Sequence, residues 1–136
     1  MKISREDMLL FNALESVSGV QPRDCVVSGN TISYVIKSKD MGKAIGKNAI
    51  NVKLLRKKIK KNIEIFEECE TPEKFVEKAL DISVKESVSE NREDKNVLQL
   101  ILDIENKKKV MQNIGKLKRV KVVVERNYKL DDIKIK

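Results

Sequence analysis

Residues 45 to 53 read Ile-Gly-Lys-Asn-Ala-Ile-Asn-Val-Lys, and here the side-chain types are suited to chemistry. Gly46 has no side chain, so a ligand can approach its main chain closely. Lys47 adds a mobile cation and Asn48 a polar donor. Apolar spacing after them predicts a helix from about Asn48 to Lys60. A loop at the start of a helix presents unpaired N–H groups and the positive end of the macrodipole, which together favour phosphate. Lys53, Arg56, Lys57 and Lys60 continue the positive potential along that helix, so the expected ligand is a nucleic acid held by its backbone. A glycine between helices also serves as a simple helix stop, and a lysine-rich face as solvated surface, so the loop alone leaves those readings open.

Other chemistries fail on residue type or spacing. Gly42 and Gly46-Lys47 suggest the phosphate loop of a nucleotide hydrolase, but they enclose three residues instead of four. Asn48 also stands where a magnesium-binding Ser or Thr is required. The chain has no histidine, which excludes a Ser-His-Asp triad and a Cys/His zinc cluster. Its two cysteines, Cys25 and Cys69, are not expected to form a disulfide in a cytosolic chain. Glu67-Glu68 and Asp131-Asp132 fall in connectors or strand edges, where solvation explains them. The expectation is a non-enzyme with no metal, no cofactor and no small-molecule substrate.

Among 136 residues, 29 Lys and Arg against 21 Asp and Glu give a formal charge of +8, which favours a polyanionic partner. No apolar run approaches the roughly 20 residues of a membrane-spanning helix, and the amino terminus has no signal-peptide pattern. A cytoplasmic protein with no membrane partner is expected.

One order of elements is written twice. Leu10, Leu14 and Val17 share a helical face over residues 4 to 17, where Ser4 and Asp7 suggest a capping box and Gly19 a stop. A strand begins at Val26-Val27, Gly29-Asn30 signals a hairpin, and Ile32, Tyr34 and Ile36 alternate along the next strand. A short helix, the glycine-containing turn, the longer helix and the strand Ile63-Glu64-Ile65 follow. Thr71-Pro72-Glu73 then starts a second unit, with a helix carrying Phe75, Val76, Ala79 and Leu80. A strand from Ile82 to Val88, a turn from Asn91 to Lys95 and a strand from Val97 to Ile104 come next. With Met111 laid on Gly46, Leu117, Val120 and Val124 fall on Val52, Leu55 and Ile59. That register predicts helix for the β-branched run Val120 to Val124. Ile133-Lys134-Ile135 closes the unit, with about five extra residues after the last helix. Domains are therefore expected at 1–68 and 69–136, packed together because each is small.

The tetrad Gly46-Lys47-Asn48-Ala49 after Ile45 resembles the signature of the KH family, a glycine-x-x-glycine loop between two helices, with Ala49 replacing the last glycine. The resemblance implies an α+β fold of two tandem type II KH domains, each a three-stranded sheet packed on three helices in the order αββααβ. It also implies single-stranded RNA as partner, held by Ile45, Gly46, Lys47, Asn48, Ala49, Ile50, Lys53, Arg56 and Lys57. Bases would lie in an apolar groove of Ile45, Ile50 and Val52 with Ile36. If Ala49 is helical its cost is slight; if it needs positive φ, binding is weakened.

The second tetrad, Met111-Gln112-Asn113-Ile114, has neither glycine. Lys107, Lys108, Lys109 and Lys116, with Gln112 and Asn113, are expected to form a weaker electrostatic RNA track, Gly115 being a less favoured displaced substitute. Two such domains resemble the short archaeal proteins similar to NusA. That implies a role in transcription elongation, termination or antitermination, with RNA polymerase as a further partner. Ribosome assembly or RNA turnover is the alternative, and a basic scaffold for an acidic protein partner is another.

Overall fold

The computed structural model describes residues 4–136. Two compact units divide the chain, Met1–Glu68 and Cys69–Lys136, and each has the order αββααβ. Among the described residues the fold is α+β, with two three-stranded sheets and six α-helices.

In the first unit α1 (Arg5–Ser18) opens with a reciprocal capping box, in which Ser4 and Asp7 each accept from the other's backbone N–H, and ends at Gly19. β1 (Asp24–Ser28) and β2 (Thr31–Ile36) pair antiparallel around Gly29-Asn30. α2 (Met41–Ile45) follows a short 3-10 turn, and α3 (Ile50–Ile59) leads to β3 (Asn62–Glu67), which lies parallel to β2. The sheet order is β1-β2-β3, and α2 with α3 supplies the crossover a parallel pair requires. Ile32, Tyr34 and Ile36 share one core with Leu10, Leu14, Ala44, Leu55 and Ile63. The Tyr34 hydroxyl donates to the Leu10 carbonyl at 2.7 Å and ties α1 to the central strand. Burial, and after it the nearby Cys25, push this phenol's pKa well above its ordinary value, so it remains a donor.

In the second unit α4 (Pro72–Leu80) is capped by Thr71, with Pro72 at its first position. β4 (Glu86–Arg92) and β5 (Lys95–Ile101) form a hairpin with Arg92 opposite Lys95, so the turn is Glu93-Asp94. α5 (Ile104–Met111), α6 (Ile114–Asn127) and β6 (Asp132–Ile135) complete a sheet of order β4-β5-β6. Val120 to Val124 is helical, because Leu117, Val120, Val123 and Val124 bury one helical face. The Tyr128 hydroxyl donates to the Cys69 carbonyl at 2.7 Å and accepts from its N–H at 3.1 Å, anchoring the start of the unit beside Phe75.

Several expected boundaries are corrected. The strand from Ile82 to Val88 begins only at Glu86. The amides of Ile82, Ser83 and Val84 donate to the Glu77 carbonyl, Asn106 Oδ1 and Glu77 Oε2, so they cannot join a ladder. The next strand ends at Ile101, and Ile104 opens α5 because Asp103 caps it. The five extra residues are not one longer loop. In the register that lays Met111 on Gly46, α6 runs three residues past the end of its counterpart α3, and the connector to the closing strand is longer by two. Neither Cys25 nor Cys69 is in a disulfide. Among the described residues no helix is long and apolar enough to cross a membrane.

Asp103 accepts from both the backbone and side-chain N–H of Asn106, at 2.8 Å each, and these bonds hold its carboxyl below the usual carboxylate range. A pKa lowered by folding means that the cap's contribution is complete above the unfolded value and is lost as pH falls through the folded one. Asp103→Asn keeps a capping oxygen at every pH. The second unit of that variant is therefore expected to lose less stability between pH 6 and strongly acidic pH than the parent, as followed by circular dichroism melts.

Candidate nucleic-acid interface

α2 closes with the Gly46 N–H donating to the Gly42 carbonyl at 2.9 Å. Gly46 then adopts φ 78° and ψ 167°, a combination essentially confined to glycine. A Cβ there would lie 2.9 Å from Asn51 Nδ2 and 3.0 Å from Ile50 Cγ2, so a side chain would have to push Asn51 and Ile50 aside as well as adopt strained dihedrals. Asn48 (φ 56°, ψ 31°) and Ala49 (φ 58°, ψ 29°) are both left-handed, and α3 starts at Ile50. This corrects the expectation of a helix from Asn48 and resolves the alternatives at Ala49 in favour of positive φ. Left-handed backbone costs a non-glycine residue about 1 kcal/mol, least for asparagine.

The Ala49 N–H donates to the Gly46 carbonyl at 3.1 Å, and the Ile50 N–H to the Lys47 carbonyl. Lys47 and Asn48 are exposed, and their own N–H groups have no intramolecular acceptor among the described residues. No side chain caps α3. The loop thus presents two open amides beside a residue with no side chain, which is a favourable arrangement for a phosphodiester.

Ile45 is half-buried at the end of α2, and Ile50, Lys53, Arg56 and Lys57 are exposed on α3. Ile50, Lys53, Leu54 and Lys57 are spaced along one helical face, with Ile50 53% and Leu54 47% exposed. Cations and apolar side chains therefore alternate on one stripe leading from the loop. Arg56 lies off that stripe, with Lys57 and Lys58 in the basic last turn. Sequence reasoning missed Leu54, although its spacing four residues after Ile50 was the available signal. Val52 packs half-buried against the core. Ile36, expected in the groove, is fully buried and offers a ligand nothing. Alternation along a strand identifies the face that a residue takes and leaves open what covers that face.

The second loop is built differently. Lys107, Lys108, Lys109, Gln112 and Asn113 are exposed, and Lys116 is half-buried. None of Met111, Gln112, Asn113 or Ile114 has positive φ. The Gln112 N–H donates to the Lys108 carbonyl, the Asn113 N–H to the Val110 carbonyl, and the Lys116 N–H to Asn113 Oδ1 at 3.1 Å. Donors that would face a phosphate are engaged internally. Lys109 Nζ donates to the Asp81 carbonyl at 3.2 Å, which restrains that cation. Gly115 lies in the first turn of α6 without positive φ, so it is no displaced substitute.

A KH domain family model matches residues 8–131. Over 76 residues, 56% of the chain, it is 29% identical to the probable transcription termination protein NusA of Methanocaldococcus jannaschii. Over a stretch of the same length it is 32% identical to the protein of that name from Methanococcus vannielii. These matches span 42% and 44% of the two relatives, less than half their length. The protein so named from Halococcus morrhuae is 23% identical over 99% of both chains. The crystal structure of APE1850 superposes with a TM-score of 0.88 at 21% identity, covering 98% of this chain and all of that one, which is a likeness of fold. With that model spanning most of its length, the chain belongs to the KH domain family and is similar within it to archaeal NusA proteins.

Proposed function

We propose that the chain binds single-stranded RNA through the loop of its first unit, that residues 1–68 and 69–136 are each a KH domain, and that the protein acts in transcription elongation or termination. The observation that carries the reading is the pair of open amides at Lys47 and Asn48, set beside Gly46 and continued by the exposed stripe of Ile50, Lys53, Leu54 and Lys57. Ile45 and Ala49 complete the loop's frame, and Arg56 adds to the field. A flexible single strand can place phosphates on the loop and lysines while its bases meet the isoleucine and leucine; a stacked duplex cannot turn its bases outward.

Family membership supports RNA binding, and the names of the similar archaeal proteins support the transcriptional role. RNA polymerase is the corresponding protein partner, to be sought by copurification. Lys107, Lys108, Lys109 and Lys116, with Gln112 and Asn113, contribute long-range attraction only, since the Gln112 and Asn113 amides, the counterparts of those at Lys47 and Asn48, are engaged internally.

Titration of the full chain with a single-stranded oligoribonucleotide and with duplex DNA of equal length tests the reading. Single-stranded RNA is expected to bind more tightly. With Lys47, Lys53, Arg56 and Lys57 engaged, its log affinity should fall with log salt at a slope of about −3. Indifference to every nucleic acid at low salt would reject the proposal in favour of an acidic protein partner.

A further inference from the structure

We propose that Asn51 is a positioning residue for the loop, bracing the end of α2 against α3 so that the Lys47 and Asn48 amides stay open. This rests on the RNA-binding reading of that loop. Asn51 Nδ2 donates to the Lys43 carbonyl at 2.9 Å, eight residues back along the chain. A carbonyl only accepts, so the side-chain amide must present its nitrogen to Lys43.

The need for this bond follows from the shape of the turn. Carbonyls in the last turn of a helix lack partners within it. In a continuous helix the Lys43 carbonyl would receive the Lys47 N–H, but the extended ψ of Gly46 takes the chain away before that bond can form. Asn51 supplies the donor in its place and leaves the Lys47 amide unengaged. The same side chain fills the space beside Gly46, with its Nδ2 and Cγ at 2.9 and 3.0 Å from the position of a Cβ. Glycine and asparagine at these two positions are therefore one device. The second unit corroborates the pairing: in the register that lays Met111 on Gly46, Asn51 corresponds to Lys116. Glycine and brace are both missing there, and the loop instead closes on Asn113.

The test compares wild-type full chain with Asn51→Leu, which keeps the branched heavy-atom outline and removes the donor, and with Asn51→Ala. Amide NMR spectra and hydrogen exchange are recorded without RNA, thermal melts establish that the variants fold, and a single-stranded oligoribonucleotide is then titrated at several salt concentrations. Both variants are expected to move the Gly46, Lys47 and Asn48 amide signals and to weaken RNA binding about tenfold. The slope of log affinity against log salt should stay at the wild-type value, because no cation is removed. Lys53→Ala should do the opposite, lowering the slope while leaving the loop amides in place. Wild-type loop signals in both Asn51 variants would overturn the brace, whatever the RNA result. If the wild-type protein binds no RNA, the proposed function fails, while the amide comparison still decides the brace.

Discussion

Gly46→Asp combined with Lys47→Asp is expected to lower affinity for single-stranded RNA by at least about a hundredfold, roughly 3 kcal/mol. Met111→Asp with Gln112→Asp should lower it less than about tenfold. The first pair changes the net charge by three units and the second by two. If the protein attracted RNA only through its overall field, the two losses would stand near 3 to 2 on a logarithmic scale. A larger disparity is expected, because the first pair also fills the space beside Asn51, imposes a side chain at φ 78° and places carboxylates beside open amides. Nothing comparable is lost at Met111 and Gln112, where the amides already have internal acceptors. Filter binding or fluorescence anisotropy at fixed salt measures both losses. Equal losses would refute the asymmetry between the loops.

A second expectation concerns the backbone alone, with no change of charge. Gly46→Ala should destabilise the first unit by about 1 to 3 kcal/mol, the cost of forcing a side chain into a glycine-only region. It should weaken RNA binding as well, since the new methyl displaces Asn51. Ala49→Gly should act in the opposite direction, though by less. Removing left-handed strain at Ala49 gains about 1 kcal/mol, and the greater freedom of an unfolded glycine takes back about half of that. A net gain of about 0.5 kcal/mol in urea melts, with RNA affinity equal or higher, is the expected outcome. Destabilisation by Ala49→Gly would contradict the left-handed assignment at that position.

Local signals made most of the architecture legible in advance. Ser4 with Asp7, Thr71 with Pro72, and Gly29-Asn30 mark their boundaries through contacts that span at most four residues, so the residues themselves contain the whole interaction. The duplicated register was informative where propensity misled: Val120 to Val124 reads as strand by composition and is helix because its partners at helical spacing are buried. The place of the loop was also readable, since a glycine followed by a cation before an apolar periodic run marks a turn into a helix start, where open amides favour an anion.

What the residues determined by themselves was the order of elements, the duplication and the place of the glycine-containing loop between the two helices, because each depends on short-range periodicity, caps or charge. Tertiary structure alone decided that Ile36 is sealed in the core, that Ile82, Ser83 and Val84 give their amides to Glu77 and Asn106, and that Asn48 and Ala49 turn left-handed over a brace from Asn51. The physical reason is common to all three. A strand pattern does not say what covers it, and a side-chain hydrogen bond that replaces a ladder or reopens a helix end depends on which group the completed fold brings within hydrogen-bonding distance.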